Sequence, residues 1–238
     1  MASFVPPDLY PLNHAAEERQ HHQYPFLSYP GKVRSIIVKR TLIFDFGGVL
    51  MQTRDYHYRH GWDTRLALPL GSVEHIVHGS ESWRQAQHGI ISEADYWYAV
   101  AQQLHLDADS LAMLQRDYFA GDVVDTTLTA YIQARRLEGH SIALLSNEVR
   151  SLREKLSAHQ LTPLFDVIVI SAEIGVMKPA PAAYHAVLNA LKRPADETIF
   201  IDDMQANIDA ANALGIHGVL YRANMDISAA LAPLLEIP

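Results

Sequence analysis

Short apolar runs alternate along this chain with stretches in which apolar residues recur every three or four positions. The first run, Thr41-Leu42-Ile43-Phe44-Asp45-Phe46, closes in Gly47-Gly48, as a buried strand ending in a turn should read. Ile142-Ala143-Leu144-Leu145 ends at Ser146-Asn147, and Val167-Ile168-Val169-Ile170 follows. Thr198-Ile199-Phe200-Ile201 ends at Asp202-Asp203, and Gly218-Val219-Leu220-Tyr221 completes the set. Between and after these runs, residues 126–138, 148–159, 182–191, 207–214 and 227–235 carry helical spacing, with Gly139 and Gly215 placed to end two of the helices. Strands and helices in this order predict an α/β fold: a doubly wound parallel sheet, covered on both faces, with right-handed crossovers.

Residues 51–125 break the rhythm. They contain no comparable buried-strand run, whereas 92–104 and 110–119 place apolar residues at helical spacing. Ser92 with Asp95 three positions on reads as a capping box with a shorter acid, marking a helix start. The pattern predicts a small α-helical cap, residues 53–125, inserted after the first core strand, with the core formed by 34–52 and 126–238. Residues 1–33 hold Pro6, Pro7, Pro11, Pro25 and Pro30, with His14, His21 and His22 between them and no sustained period, and predict an extended or disordered tail.

Composition narrows the function classes. Of 238 residues, 49% are hydrophobic and 19% charged, the ordinary balance of a soluble globular protein. The absence of cysteine excludes disulfides, thiolate metal sites and cysteine nucleophiles. Apolar runs are short, and the start of the chain lacks the basic-then-apolar order of a secretory signal, which reads as a cytoplasmic protein. A net charge of −8 argues against nucleic acid or an anionic membrane as partner. It would also repel a phosphate ester unless cations gather locally.

Ligands of open α/β sheets sit beyond the carboxyl ends of the strands. Asp45, Ser146, Lys178 and the Asp202-Asp203 pair all fall there, so residues far apart in sequence can converge on one pocket. Clustered carboxylates are tolerable chiefly with a cation between them, and oxygen-only ligands favour a hard ion such as Mg²⁺. A phosphoryl group held by such an ion, the Lys178 ammonium and the Ser146 hydroxyl would have its charge spread over fixed donors, with Asp45 as in-line nucleophile. Taken singly, each residue has an ordinary reading as a turn residue, a helix cap or a surface lysine; their order and joint placement carry the chemistry.

Asp45-Phe46-Gly47-Gly48-Val49-Leu50, Leu144-Leu145-Ser146-Asn147, Met177-Lys178-Pro179 and Ile201-Asp202-Asp203 resemble the four ordered motifs of the haloacid dehalogenase superfamily, and the insertion resembles its C1-type helical cap. The resemblance implies a Mg²⁺-dependent phosphatase acting on a small phosphorylated metabolite, such as a sugar phosphate. It makes Asp45 the nucleophile and a metal ligand, the Gly47 carbonyl a second ligand, Ser146 and Lys178 phosphate binders, Asp203 the direct metal ligand and Asp202 an auxiliary acid. Asn147, Gly47 and Gly48 join the substrate-binding set, and Asn207 becomes a supporting group behind the metal. It also makes 52–54 and 122–125 the hinges of a closing cap, in which Trp83, Arg84, Tyr96 and Trp97 are candidates to sort substrates, Arg84 by holding a second anionic group or a sugar hydroxyl.

One position departs from most phosphatases of the superfamily: Gly47 stands where they carry an aspartate that protonates the leaving group and activates water. The resemblance is to a subgroup of sugar-phosphatase-like and epoxide-hydrolase-amino-domain-like members with glycine there. A metal-independent 2-haloacid dehalogenase-like hydrolase and a degenerate binding protein are the alternatives. Asp55, His57 and His60, which follow the first motif, are candidate replacement acids.

Overall fold

The computed structural model describes residues 39–236. The tail expected over 1–33, with His14, His21 and His22, lies outside the described residues, as do 34–38, 237 and 238. In chain order come β1 (Thr41–Phe44), β2 (Met51–Thr53), α1 (His57–Arg65), α2 (Ser72–Gly79), α3 (Glu81–Gln87), α4 (Glu93–Leu104), α5 (Ala108–Tyr118) and β3 (Asp122–Val124). They are followed by α6 (Thr126–Leu137), β4 (Ser141–Ser146), α7 (Leu152–Ala158), β5 (Val167–Ile170), α8 (Ser171–Ile174), α9 (Pro181–Leu191), β6 (Thr198–Asp202), α10 (Gln205–Ala213), β7 (His217–Leu220) and α11 (Ile227–Leu235).

The central sheet has the order β5-β4-β1-β6-β7, parallel throughout, so the predicted doubly wound sheet is the one formed. Its strands are buried on both faces because successive side chains point to opposite sides. Leu42, Phe44, Ile142, Leu144, Ile199 and Ile201 pack on one side with residues of α6, α7 and α11. Ile43, Ala143, Leu145 and Phe200 pack on the other with α9 and α10.

Helices α1 to α5 form the insertion and have an apolar core of their own, including Trp62, Val77, Tyr96, Val100, Leu114 and Tyr118. The expected capping box is present: Ser92 and Asp95 exchange side-chain and backbone hydrogen bonds at the start of α4. The insertion also rests on the core. Gln87 Nε2 donates to the Asn147 carbonyl at 2.6 Å, Ser171 Oγ to the Gln87 carbonyl at 2.7 Å, and Ser151 Oγ to Glu93 at 2.9 Å.

Two features differ from the sequence expectation. The stretch expected to be wholly helical begins and ends in strands β2 and β3, an antiparallel ribbon pairing Met51 with Val124 and Thr53 with Asp122. Each strand is only three residues long, too short to impress a period on the sequence, and each exists through pairing with a partner about seventy residues away. The helix expected over 148–159 begins only at Leu152. The Glu148 N–H donates instead to Ser171 Oγ at 3.0 Å and the Val149 N–H to the Glu148 carboxylate at 2.7 Å, which keeps 148–151 out of the helix. No helix among the described residues is long and apolar enough to cross a membrane.

Arg59 ties the insertion to its ribbon. Its buried guanidinium reaches Glu74 of α2 at 2.6 Å and Asp122 of β3 at 2.9 Å, and lies 4.5 Å from the centre of the Tyr118 ring. Arg59→Met leaves two carboxylates unpaired, one of them well buried, and is expected to destabilise the protein by about 3 kcal/mol. A urea midpoint within error of wild type would show that solvent or rearrangement compensates the lost pair.

Candidate active site

The loops that follow β1, β4, β5 and β6 leave the same edge of the sheet. The strand order reverses beside β1, and that reversal is where open α/β sheets bind ligands. Asp45 is the first residue past β1. Its N–H donates to the Ile201 carbonyl of β6 at 2.9 Å, so the sheet register runs on through it and sets its position. Asp45 Oδ1 accepts from the Phe46 N–H at 2.7 Å and meets Lys178 Nζ at 2.8 Å.

Asp202 closes β6 and is fully buried. Its carboxylate accepts from Lys178 Nζ at 2.7 Å, from the Met204 N–H at 2.8 Å, and on both oxygens from Asn207 Nδ2 at 3.0 Å. Asp203 is partly exposed beside it, and one oxygen each of Asp45, Asp202 and Asp203 lie within 4.8 Å of one another.

Lys178 sits after β5 with its ammonium buried between Asp45 and Asp202. Its backbone is pinned by Asn147: Asn147 Nδ2 donates to the Lys178 carbonyl and the Lys178 N–H to Asn147 Oδ1, both at 2.8 Å. The Asn147 amide is thus engaged in holding the lysine. Ser146 is buried at the end of β4.

The two loop glycines differ. Gly48 has φ of +76°, and a Cβ there would fall 2.2 Å from the Asp203 carboxylate, so only glycine lets loop and acid close together. A Cβ on Gly47 would meet nothing within 4 Å.

Burial pushes the Asp45 carboxyl up, to about 7; Lys178 pulls against this and the Asp202 carboxylate adds to it. Burial, then the Asp202 charge, raises Asp203 as well. Both shifts come first from burial, to which the neighbouring Asp202 charge adds. The all-oxygen donor set of Asp45, Asp202 and Asp203 fits a hard divalent cation, and such an ion would bring the carboxyls back to their charged forms.

A cavity of about 430 Å³ opens over Phe46, Gly47 and Gly48. Its walls include Gln52, Arg59, His78, Phe119, Asp122, Glu148 and Lys155. Burial and the neighbouring Arg59 lower His78 to about 3, which keeps it neutral, and burial raises Glu148. The three expected replacement acids do not line this cavity. Asp55 accepts from the His57 N–H at the exposed start of α1, His57 lines a separate cleft with Trp62 and Asp117, and His60 stacks on Tyr56. Arg84 does not line it either: it is exposed, pairs with Glu81, and borders a separate cleft with Met177, Lys178 and Pro179. Trp83, Tyr96 and Trp97 line an adjoining cavity of about 610 Å³.

Sequence reasoning missed Arg59, Phe119, Glu148 and Lys155 as cavity residues. Only Glu148 carried a signal, since it directly follows Ser146-Asn147 beyond a strand end.

Comparison with known proteins gives a relative named as a phosphatase and a relative named as a dehalogenase. The chain is 30% identical over 185 residues to a sesquiterpene phosphatase of Aspergillus oryzae, covering 76% of this chain and 88% of that one. It is 27% identical to an (S)-2-haloacid dehalogenase of a Pseudomonas species, covering 82% and 89%. Among solved structures, a HAD family enzyme from Bacteroides thetaiotaomicron in complex with magnesium and inorganic phosphate superposes with a TM-score of 0.68 at 22% identity, covering 81% of this chain and 98% of that one. The family model of haloacid dehalogenase-like hydrolases matches residues 39–215, which takes in β1 through α10 and every residue of the acidic cluster. The chain is therefore a member of the haloacid dehalogenase-like hydrolases, and an enzyme.

Proposed function

We propose that this hydrolase is a Mg²⁺-dependent phosphomonoesterase that works through an aspartyl-phosphate on Asp45. The observation that carries the reading is the cluster of Asp45, Asp202 and Asp203, the first two buried against the Lys178 ammonium and the third partly exposed beside them, a donor set suited to a hard cation. Support comes also from the relative named a phosphatase and from the structural neighbour described with magnesium and phosphate. Displacement of halide from carbon has no use for a metal, so the acidic trio weighs against the dehalogenase reading despite the relative of that name.

In this reading Asp45, Asp203 and the Gly47 carbonyl hold the ion, with Asp202 behind them, oriented by Asn207. When bound, the ion supplies positive charge for the transferring phosphoryl oxygens. Lys178 and Ser146 bind the phosphoryl group, and the loop of Gly47 and Gly48 lets it approach the backbone closely. Asp45, held at Oδ1 by Lys178 and the Phe46 N–H, attacks phosphorus with its other oxygen. The ester P–O bond breaks and the leaving group departs as its anion, taking a proton from water; a second water then attacks phosphorus, loses its proton to solvent and breaks the P–O bond to Asp45, releasing phosphate and restoring the carboxylate. The insertion, residues 53–125, acts as the cap that keeps bulk water from the cavity.

Phosphate release from p-nitrophenyl phosphate is expected to require Mg²⁺, to be abolished by excess chelator, and to fall to background in Asp45→Asn. Activity that survives either treatment would remove the proposed mechanism.

With no acid at Gly47, wild-type kcat is expected to fall steeply as leaving-group pKa rises, so aryl phosphates turn over faster than alkyl ones by on the order of 10²-fold or more. Because the space at Gly47 is open, Gly47→Asp can be accommodated and should flatten that dependence. A wild-type rate that is flat across leaving groups, with the chemical step shown to limit turnover, would mean that another group already supplies the proton.

A further inference from the structure

The cavity above Gly47 does not end at its polar wall. Phe119, Glu148 and Lys155 also line the 610 Å³ cavity between α3, α4, α5 and α7, so the same three side chains bound both spaces. The two volumes are of the size that holds small ligands, about 300–1,000 Å³. Their walls differ in kind. The first carries Arg59, Asp122, His78 and Gln52, whereas the second is walled by Trp83, Tyr96, Trp97, Leu111, Val149 and Leu152, with Glu93, Gln115 and Ser151 among them. Lys155 marks the border: its ammonium lies 4.4 Å from the centre of the Phe119 ring and 6.0 Å from that of Phe46, the residue next to Asp45.

Resting on the phosphomonoesterase reading, we propose that the substrate is the phosphate monoester of an elongated, largely apolar alcohol. Its phosphoryl group sits at Asp45, and its hydrocarbon part passes Phe119 and Lys155 into the aromatic cavity. A sugar or another polyol would set much of its hydroxyl surface against Trp83, Trp97 and Leu111, where no partner stands, with Glu93, Gln115 and Ser151 among the few polar groups on this wall, a cost an apolar chain does not incur. The outer wall is made by helices of the insertion, so the cap supplies the selectivity and the core strands supply the chemistry.

The test uses phenyl, 4-butylphenyl and 4-octylphenyl phosphate below their micelle concentrations, with Mg²⁺. These esters have similar leaving groups and differ in hydrocarbon length. Each methylene fully withdrawn from water is worth about a fourfold gain, so partial burial should raise kcat/KM by on the order of tenfold or more from phenyl to octylphenyl, mainly through KM. Ala94→Trp, on the exposed part of α4 that borders the aromatic cavity, should bring the octyl-to-phenyl ratio toward one. In Asp45→Asn, titration followed by tryptophan fluorescence, with Trp83 and Trp97 in the cavity wall, should show the same preference in binding without turnover. Mg²⁺-dependent hydrolysis that is indifferent to chain length, or a ratio that Ala94→Trp leaves unchanged, overturns the apolar substrate while the phosphatase reading stands. Failure to hydrolyse any of these esters overturns the phosphatase reading and this inference with it.

Discussion

A single buried ammonium stands between two buried carboxylates, Lys178 against Asp45 at 2.8 Å and Asp202 at 2.7 Å, and much of the molecule serves to keep it there. Such a group is costly to bury unless every partner is in place, and removing one side leaves an uncompensated charge worth several kcal/mol. The sheet meets that demand by topology. Asp45 and Asp202 end neighbouring strands, β1 and β6, and their register is fixed by parallel ladders that bury both faces. Asn147 fixes the Lys178 backbone, while Asn207 and the Met204 N–H take up the Asp202 oxygens that the lysine leaves. Asp203, without that enclosure, stays partly exposed beside them.

The parallel sheet was legible because its strands are apolar runs with nothing else to be, and the chemistry was legible because each run ends in a polar residue. Asp45, Ser146 and Asp202 stand at strand ends where the burial pattern breaks, and Lys178 follows the next strand within a short loop. What stayed illegible depends on distant partners. β2 and β3 exist only as each other's pair, and Arg59 looks like one more charge on a helix until Glu74 and Asp122 are folded around it. The same blindness placed Asp55, His57 and His60 near Asp45 by sequence proximity, although the residues of this segment that reach the cavity are Tyr56 and Arg59. Arg84 faces outward for a similar reason: the inward positions of its short helix belong to Trp83 and Ala86.

The helix that fails to start at Glu148 is instructive, because propensity favoured it. Residues 148–151 are held open by the Ser171 hydroxyl, which accepts from the Glu148 N–H and donates to the Gln87 carbonyl of the insertion. Helix at this point would withdraw Glu148 and Val149 from the cavity walls. Tertiary contacts override the local preference where the site needs an extended exit from β4.

That exit also joins the insertion to the nucleophile's partner. Gln87 of the insertion donates to the Asn147 carbonyl, the Asn147 side chain holds the Lys178 backbone, and Lys178 holds Asp45. The contacts form a continuous run from the insertion to the Asp45 carboxylate, so the insertion cannot lift from this edge without removing a hydrogen bond from the residue that positions the lysine. The arrangement in which Gln87 reaches Asn147 is therefore also the one in which the Lys178 backbone is tied, through Asn147, to the insertion.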